Sequence, residues 1–210
     1  MIVKPLVIGT IMENTYILVS EKTSECVIID PGGEAERILE EVASMGLTVK
    51  TILNTHGHGD HNGAVAAVKE ATGATYAIHE RDIGLLKNGI QWLAQMMPDV
   101  RPPPEPDWYV KNDDLIEVGD VKLRVIETPG HTPGGVCYYG DGILFTGDTL
   151  FQGSIGRFDM PGGDGRILLH GILTRLMVLP VDTKVYPGHG PESTIAREKL
   201  TNPFLLRGLV

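Results

Sequence analysis

The sequence contains few cysteines and fewer basic than acidic residues, and each shortage excludes a class of protein. Its two cysteines, Cys26 and Cys137, are too few for a disulfide framework and favour a reducing, cytoplasmic compartment. The 18 basic residues stand against 27 acidic ones, which gives a net charge of −9. This balance argues against nucleic acid or an anionic membrane as a partner, since both bind a basic face.

Long apolar runs are also missing. No segment reaches the length of a membrane-spanning helix, and residues 1–9 are too short and too soon interrupted for a signal peptide. The 42% of apolar residues against 21% charged is enough to exclude intrinsic disorder. The sequence therefore predicts a soluble, single globular domain over residues 1–210, acting as a monomer or homodimer.

Predicted strands and helices follow one another in blocks along the chain. Period-two patterns and turn signals predict strands at 2–8, 14–19, 26–29, 51–53, 75–78, 115–118, 121–127, 135–139, 143–146 and 184–186. Apolar residues at helical spacing predict helices at 34–45, 62–72, 166–179 and 192–200. This order favours two sheets flanked by helices over one doubly wound sheet.

The middle of the chain interrupts this order. An apolar helical patch is predicted at Leu85, Leu86, Ile90, Trp92, Leu93, Met96 and Met97. The proline-rich stretch 98–106 follows it and forces an extended loop. If the patch and loop lie beside a site, they would form a lid or a pocket wall. If they do not, the apolar residues would pack in the core or form a dimer contact.

One short segment concentrates metal-binding side chains. Residues 56–61 are His-Gly-His-Gly-Asp-His, between a predicted strand and a predicted helix. Imidazole nitrogens and carboxylate oxygens both bind divalent metals. In an extended turn His56 and His58 point to the same side, whereas Asp60 and His61 can turn toward a second position nearby. Four ligands in so short a loop suit two adjacent metals better than one.

Further metal-type residues follow other predicted strands. His131, Asp148 and His189 each come directly after a glycine in a turn at a strand end. Such turns present side chains into a shared cleft. The pattern predicts a metal site assembled from several strand-end loops.

Four segments resemble those of the metallo-β-lactamase superfamily in order and spacing. They are THGHGDH at 55–61, TPGHTPGG at 128–135, LFTGDTLF at 144–151 and YPGHGP at 186–191. The resemblance covers nearly the whole chain. It implies an α+β fold, a four-layer αββα sandwich of two mixed β-sheets flanked by helices.

The resemblance also implies a set of ligands for two divalent metal ions. It assigns His56, His58 and His131 to the first metal, Asp60, His61 and His189 to the second, and Asp148 to a bridging position. Zinc is the expected metal, with iron or manganese as alternatives, because histidine and carboxylate ligands suit all three. His79 and His170 match no ligand position and are expected to be ordinary core or surface histidines.

Within the superfamily, residues 147–164 and 188–205 look most like the short glyoxalase II-like hydrolases. Those enzymes resemble hydroxyacylglutathione hydrolase, which cleaves S-D-lactoylglutathione. The chain is expected to lack the C-terminal helical extension of standard glyoxalase II, and Pro191 and Asp159 stand where that family has tyrosines. Arg157 does match a basic position of the family and is the candidate contact for an anionic group of the substrate.

The expected reaction is hydrolysis of a small anionic thioester. Two metals that share a water would lower its pKa to about 7, and the bridging hydroxide would attack the thioester carbonyl. A thiolate leaves with little help from a general acid. Asp60, which can also orient the hydroxide, and Asp148 are the candidate catalytic residues.

Other functions are weighed against this one. Persulfide dioxygenases share the motifs but hold one iron with two histidines and a carboxylate, for which His56, His131 and Asp148 are present. Net acidity disfavours a nuclease, and flavin-linked di-iron oxygen reductases usually have Glu at position 58 and a flavodoxin domain. A metal-storing protein without catalysis would not need so full a set of ligands.

Overall fold

Two six-stranded β-sheets form the centre of the computed structural model, which describes residues 1–88, 94 and 100–207. The strands of the first sheet are β1 (Ile2–Ile8), β2 (Glu13–Val19), β3 (Glu25–Ile29), β4 (Thr48–Leu53), β5 (Thr75–Ile78) and β6 (Trp108–Tyr109). They lie side by side in chain order. Pairing is antiparallel from β1 to β3 and parallel from β3 to β6.

The second sheet is also mixed. Its strands, in spatial order, are β14 (Ser193–Thr194), β13 (Lys184–Pro187), β10 (Ile143–Gly147), β9 (Val136–Gly140), β8 (Val121–Glu127) and β7 (Leu115–Val118). In this sheet β10 and β13 pair in parallel, and the other described neighbours pair antiparallel. A separate hairpin joins β11 (Leu150–Phe151) to β12 (Ser154–Ile155).

Helices cover the outer face of each sheet. The helices of the described residues are α1 (Ala35–Ser44), α2 (Gly59–Asn62), α3 (Val65–Thr72), α4 (Ile83–Asn88), α5 (Gly165–Gly171), α6 (Ile195–Thr201) and α7 (Pro203–Arg207), of which α2 directly follows the loop after β4. Ile38 and Val42 of α1 pack on the first sheet, and Leu168 of α5 packs on the second. The inner faces meet around side chains such as Tyr16 and Phe145. This αββα arrangement confirms the predicted fold class.

Some predicted elements differ from the observed ones. The predicted helix 62–72 is divided between α2 and α3 at Gly63, where a Cβ would lie 2.5 Å from the carbonyl oxygen of Gly32. The predicted helix 166–179 continues beyond α5 as a π-helical segment, Ile172–Leu176. The predicted helix 192–200 begins only at Ile195, because Ser193 and Thr194 pair with β13. The two-residue strands were not predicted because they are too short to show a period.

The middle of the chain is described in part. The proline stretch 102–106 is irregular, as expected. The predicted apolar residues Ile90, Trp92, Leu93, Met96 and Met97 lie outside the described residues. A lid or pocket wall at this place therefore stays a prediction.

Two expectations from composition can be compared with the structure. Cys26 and Cys137 are free thiols, buried in different hydrophobic clusters. Among the described residues, no helix has the length and apolarity that are needed to span a membrane.

Candidate metal centre

The seven predicted ligands all follow the ends of four strands, and the structure brings these loops together between the two sheets. The loop after β4, continuing into α2, carries four of them, and the loops after β8, β10 and β13 carry one each. The ligands after β4 are His56, His58, Asp60 and His61, and the others are His131, Asp148 and His189.

Three histidines converge in what we call the first cluster, His56, His58 and His131. One ring nitrogen of each lies within 4.8 Å of the others. The Nε2 atom of His131 is 3.0 Å from Nδ1 of His58. Imidazole nitrogens at this spacing can bind one ion together.

A second cluster consists of Asp60, His61 and His189, whose ligand atoms also lie within 4.8 Å of one another. The Nε2 atom of His189 is 3.4 Å from Oδ2 of Asp60. Both carboxylate and imidazole atoms are thus available to an ion at this position.

Asp148 lies between the two clusters. Its Oδ2 atom is 3.6 Å from Nε2 of His131, in the first cluster. Its Oδ1 atom is 3.4 Å from Nε2 of His61 and 3.8 Å from Nε2 of His189, in the second. Each carboxylate oxygen therefore faces a different cluster, which is the geometry that a bridging ligand needs.

Several of these atoms lack a hydrogen-bond partner although they are buried. They are Nε2 of His56, Nε2 of His61 and Oδ1 of Asp148. A buried polar atom without a partner costs about 1–3 kcal/mol. Divalent ions in the two clusters would accept the lone pairs of these atoms, so the side chains present fit metal ions.

Asp30 contacts one ligand histidine, His61, directly and a second, His56, through Thr55. Its Oδ2 atom lies 3.1 Å from Nδ1 of His61 and accepts a hydrogen bond from the hydroxyl of Thr55 at 2.6 Å. That hydroxyl oxygen is in turn 3.0 Å from Nδ1 of His56. Such partners orient the ring that binds the metal. Asp30 is not among the residues predicted from the sequence, because it follows its strand without the preceding glycine that marks His131, Asp148 and His189.

A second supporting carboxylate, Asp82, joins the loops after β4 and β8. It is buried in the 3₁₀ turn Glu80–Asp82. It accepts hydrogen bonds from Gly57 N, Gly134 N and the hydroxyl of Thr132. No sequence pattern singled out Asp82, because all three donors come from distant segments.

The two clusters differ in electrostatics. Burial lowers the pKa of His56 well below its usual value and that of His58 to about 4, and the neighbouring histidines act in the same direction. Burial also opposes a charge on His61 and on His189, but the carboxylates of Asp60 and Asp148 outweigh it and raise the pKa of both. The metal-free second cluster therefore favours protonated histidines, whereas His56 and His58 favour the neutral form that binds metal.

Arg157, the predicted substrate contact, lies beside the site. Its carbonyl oxygen accepts a hydrogen bond from Nδ1 of His131 at 2.6 Å. Its guanidinium is exposed and binds both carboxylate oxygens of Asp159, with Nε–Oδ1 at 2.9 Å and Nη2–Oδ2 at 3.1 Å. An anionic group of a substrate would therefore compete with Asp159 for this cation.

The two remaining histidines lie apart from the clusters. His79 is buried, and its Nε2 atom is 3.2 Å from Oε1 of Glu127. His170 is exposed on α5. Among the described residues, neither belongs to a group of side chains spaced to hold a metal.

Known proteins similar to this chain cover most of its length. The family profile described as "Metallo-beta-lactamase superfamily" matches residues 8–189. A Bacillus subtilis relative, "Probable metallo-hydrolase YqgX", is 37% identical over 201 residues and 94% of either chain. A Haemophilus influenzae relative, "Hydroxyacylglutathione hydrolase GloC", is 34% identical over 207 residues, 93% of this chain and 94% of that protein.

Solved structures share the fold over a similar extent. BLEG-1 B3 metallo-beta-lactamase has a TM-score of 0.88 and 38% identity, covering 97% of this chain and 99% of that one. TTHA1623 in a di-iron-bound form has a TM-score of 0.85 and 37% identity, covering 96% and 100%. ETHE1 from Myxococcus xanthus has a TM-score of 0.83 and 32% identity, covering 98% and 84%.

Proposed function

Because the chain belongs to the metallo-β-lactamase superfamily of metal-dependent hydrolases, we propose that it hydrolyses a thioester, S-D-lactoylglutathione or a related hydroxyacyl thioester. The observation that carries the proposal is the position of Asp148, with one carboxylate oxygen toward each cluster. This arrangement supports a site for two ions. The relative named as a hydroxyacylglutathione hydrolase supports the choice of thioester.

Each part of the site has a role in this proposal. His56, His58 and His131 hold one ion, Asp60, His61 and His189 hold the other, and Asp148 binds both. When bound, two divalent ions supply Lewis acidity and lower the pKa of a coordinated water to about 7. Zinc is the proposed metal, and iron or manganese would suit the same side chains.

Asp60 has a second role, as an acceptor for the attacking water. Its carboxylate is partly exposed, with 16% of the side chain accessible, so it can accept a hydrogen bond from water while it faces His189. Burial opposes ionisation, but His61 and His189 keep the pKa of Asp60 low, so the acceptor is ionised at neutral pH. The thiolate product needs little help to leave, since a free thiol has a pKa of about 8.5.

Arg157 is the proposed contact for an anionic group of the substrate. It lies next to the first cluster through its carbonyl oxygen, and its guanidinium is solvent-exposed. A guanidinium binds carboxylates through two parallel hydrogen bonds, as it does here with Asp159. Substrate binding at Arg157 would replace this pair.

A second candidate, a mononuclear-iron persulfide dioxygenase, is favoured by one observation. The ring centroids of His56 and His131 are 4.9 Å apart, and Asp148 lies beside His131. Two histidines and a carboxylate are therefore close enough to be considered as ligands of one iron. Against it, this activity leaves the second cluster without a function. The dinuclear hydrolase uses all seven side chains.

The test combines metal analysis with two assays. We expect elemental analysis of the purified protein to give two metal ions per chain, and S-D-lactoylglutathione to be hydrolysed with release of a thiol. His189→Ala should abolish hydrolysis, whereas His170→Ala, at an exposed histidine outside the site, should leave it unchanged. Oxygen uptake with glutathione persulfide and a single iron per chain would support the dioxygenase instead. No thioester hydrolysis by fully loaded protein would refute the proposal.

A further inference from the structure

The loop that carries His189 is attached to the opposite sheet through Asn14. Asn14 is a buried residue of β2, in the first sheet, whereas residues 187–190 are the end of β13 and the loop after it, in the second. Its side-chain nitrogen donates hydrogen bonds to the carbonyl oxygens of Pro187 at 3.0 Å and Gly190 at 2.8 Å. Its backbone N–H donates to Gly188 O at 2.7 Å. One residue thus holds three carbonyl groups on both sides of His189.

His189 depends on this attachment more than His56, His61 and His131 do. Each of three other histidines has a partner at Nδ1. Nδ1 of His56 faces Thr55, Nδ1 of His61 faces Asp30, and Nδ1 of His131 faces the carbonyl of Arg157. In the part of the chain that the structure describes, no hydrogen bond reaches Nδ1 of His189. On the Nδ1 side, the position of the ring is therefore set by the backbone of its own loop rather than by a hydrogen bond to the ring.

The same loop has little room to move without disturbing the site. A Cβ on Gly188 would lie 2.5 Å from Oδ1 of Asp148 and 2.6 Å from Cε1 of His61. The N–H of Gly188 donates to Gly147 O at 2.8 Å, next to Asp148. A displacement of the loop would therefore change the distances from His189 to both Asp60 and Asp148.

We propose that Asn14 is a positioning residue for the second metal ion. By holding the carbonyl groups of Pro187 and Gly190, it places His189 against Asp60 and Asp148, and within the described residues no hydrogen bond connects it to the first cluster. The inference rests on the dinuclear site of the proposed function. It concerns binding of the second ion and does not depend on which substrate the protein uses.

The amide is the group that this position requires. Two carbonyl oxygens can only accept hydrogen bonds, so an NH₂ group with two donor hydrogens satisfies both. A carboxylate in the same place would repel both oxygens. Asn14→Asp, which keeps the size, therefore separates the hydrogen bonds from simple filling of space.

The experiment is a stepwise titration of metal-free protein with Zn²⁺, followed by competition with a chromophoric chelator. Loss of a hydrogen-bonded support of a ligand typically lowers metal affinity roughly 10- to 100-fold. We expect Asn14→Ala and Asn14→Asp to show this loss of affinity for the ion of the second cluster. Their affinity for the ion of the first cluster should be unchanged. Asn14→Ser, which keeps one donor, should lie between wild type and Asn14→Ala.

A matched control is available on the same strand. The hydroxyl of Tyr16 also donates to Pro187 O, at 2.6 Å, but it does not reach Gly190. Tyr16→Phe should therefore lower the second affinity less than Asn14→Ala does. Thermal melting of each metal-free variant measures any loss of folding separately.

Two results would overturn the proposal. One is an unchanged second affinity in both Asn14→Ala and Asn14→Asp. The other is an equal loss at both ions together with a lower melting temperature, which would show a general structural role. If fully loaded wild-type protein hydrolyses no thioester while the Asn14 variants still lose affinity for the second ion, the result counts against the proposed function and not against this role of Asn14.

Discussion

The carboxylate of Asp82 accepts a hydrogen bond from the hydroxyl of Thr132 at 2.7 Å, across 50 residues of sequence. It also accepts hydrogen bonds from Gly57 N at 2.9 Å and Gly134 N at 2.6 Å. Gly57 belongs to the loop after β4, and Thr132 and Gly134 to the loop after β8. One buried side chain therefore joins the two loops that carry the first cluster.

Asp82→Asn should weaken both the fold and the first cluster. An amide offers one acceptor oxygen, so its NH₂ group would face at least one of the three donors. A buried donor without an acceptor costs about 1–3 kcal/mol, and we expect the free energy of unfolding to fall by this amount. Urea denaturation of the metal-free protein measures it. Glu80→Gln, at an exposed residue of the same turn, is the control, and equal stability of Asp82→Asn and wild type would contradict the prediction.

Asp30→Asn should lower affinity for the ion of the second cluster. The NH₂ group would face donors that now point to the carboxylate, and Nδ1 of His61 would lose its charged acceptor. We expect a loss of roughly 10- to 100-fold, measured by chelator competition. Asp113→Asn is a matched control, because both aspartates have positive φ, 50° and 68°, but Asp113 is exposed. An effect of the same size in both variants would point to backbone strain instead.

Binding of the second ion should release more protons than binding of the first. The carboxylates outweigh burial and raise the pKa of His61 and His189, so below these values each histidine holds a proton that the ion must displace. His58, with a pKa of about 4, is already neutral at neutral pH. Affinity of the second cluster should therefore rise with pH and level off above the raised pKa values. Calorimetry in buffers of different ionisation enthalpy counts the protons, and equal release at both steps would rule the prediction out.

Asp159→Asn should improve the use of anionic substrates. The change frees the guanidinium of Arg157 from an exposed, solvent-screened ion pair with Asp159. We expect kcat/KM for S-D-lactoylglutathione to rise by up to about fivefold. An uncharged hydroxyacyl thioester is the matched substrate and should show no change. Arg157→Gln should have the opposite effect, and a rise in that variant would exclude Arg157 as the anion contact.

Local patterns in the sequence were enough to predict much of the fold. The strands at 2–8 and 121–127 have the predicted bounds, and in the second of them apolar and polar residues alternate along most of the strand. The seven metal-type residues could be selected because histidines and aspartates at strand ends, next to glycines, form a pattern of their own. The structure brings them together, and their binding of metal stays a prediction.

Only the tertiary structure decided what surrounds these residues. Asp30 is 25 residues from Thr55, and Asn14 is 173 residues from Pro187, yet each pair is hydrogen-bonded. Neither Asp30 nor Asn14 stands in a sequence pattern that points to its partner. Chemistry and periodicity belong to the chain itself, whereas these hydrogen bonds exist only after the two sheets have packed and brought distant loops within 3 Å or so of each other.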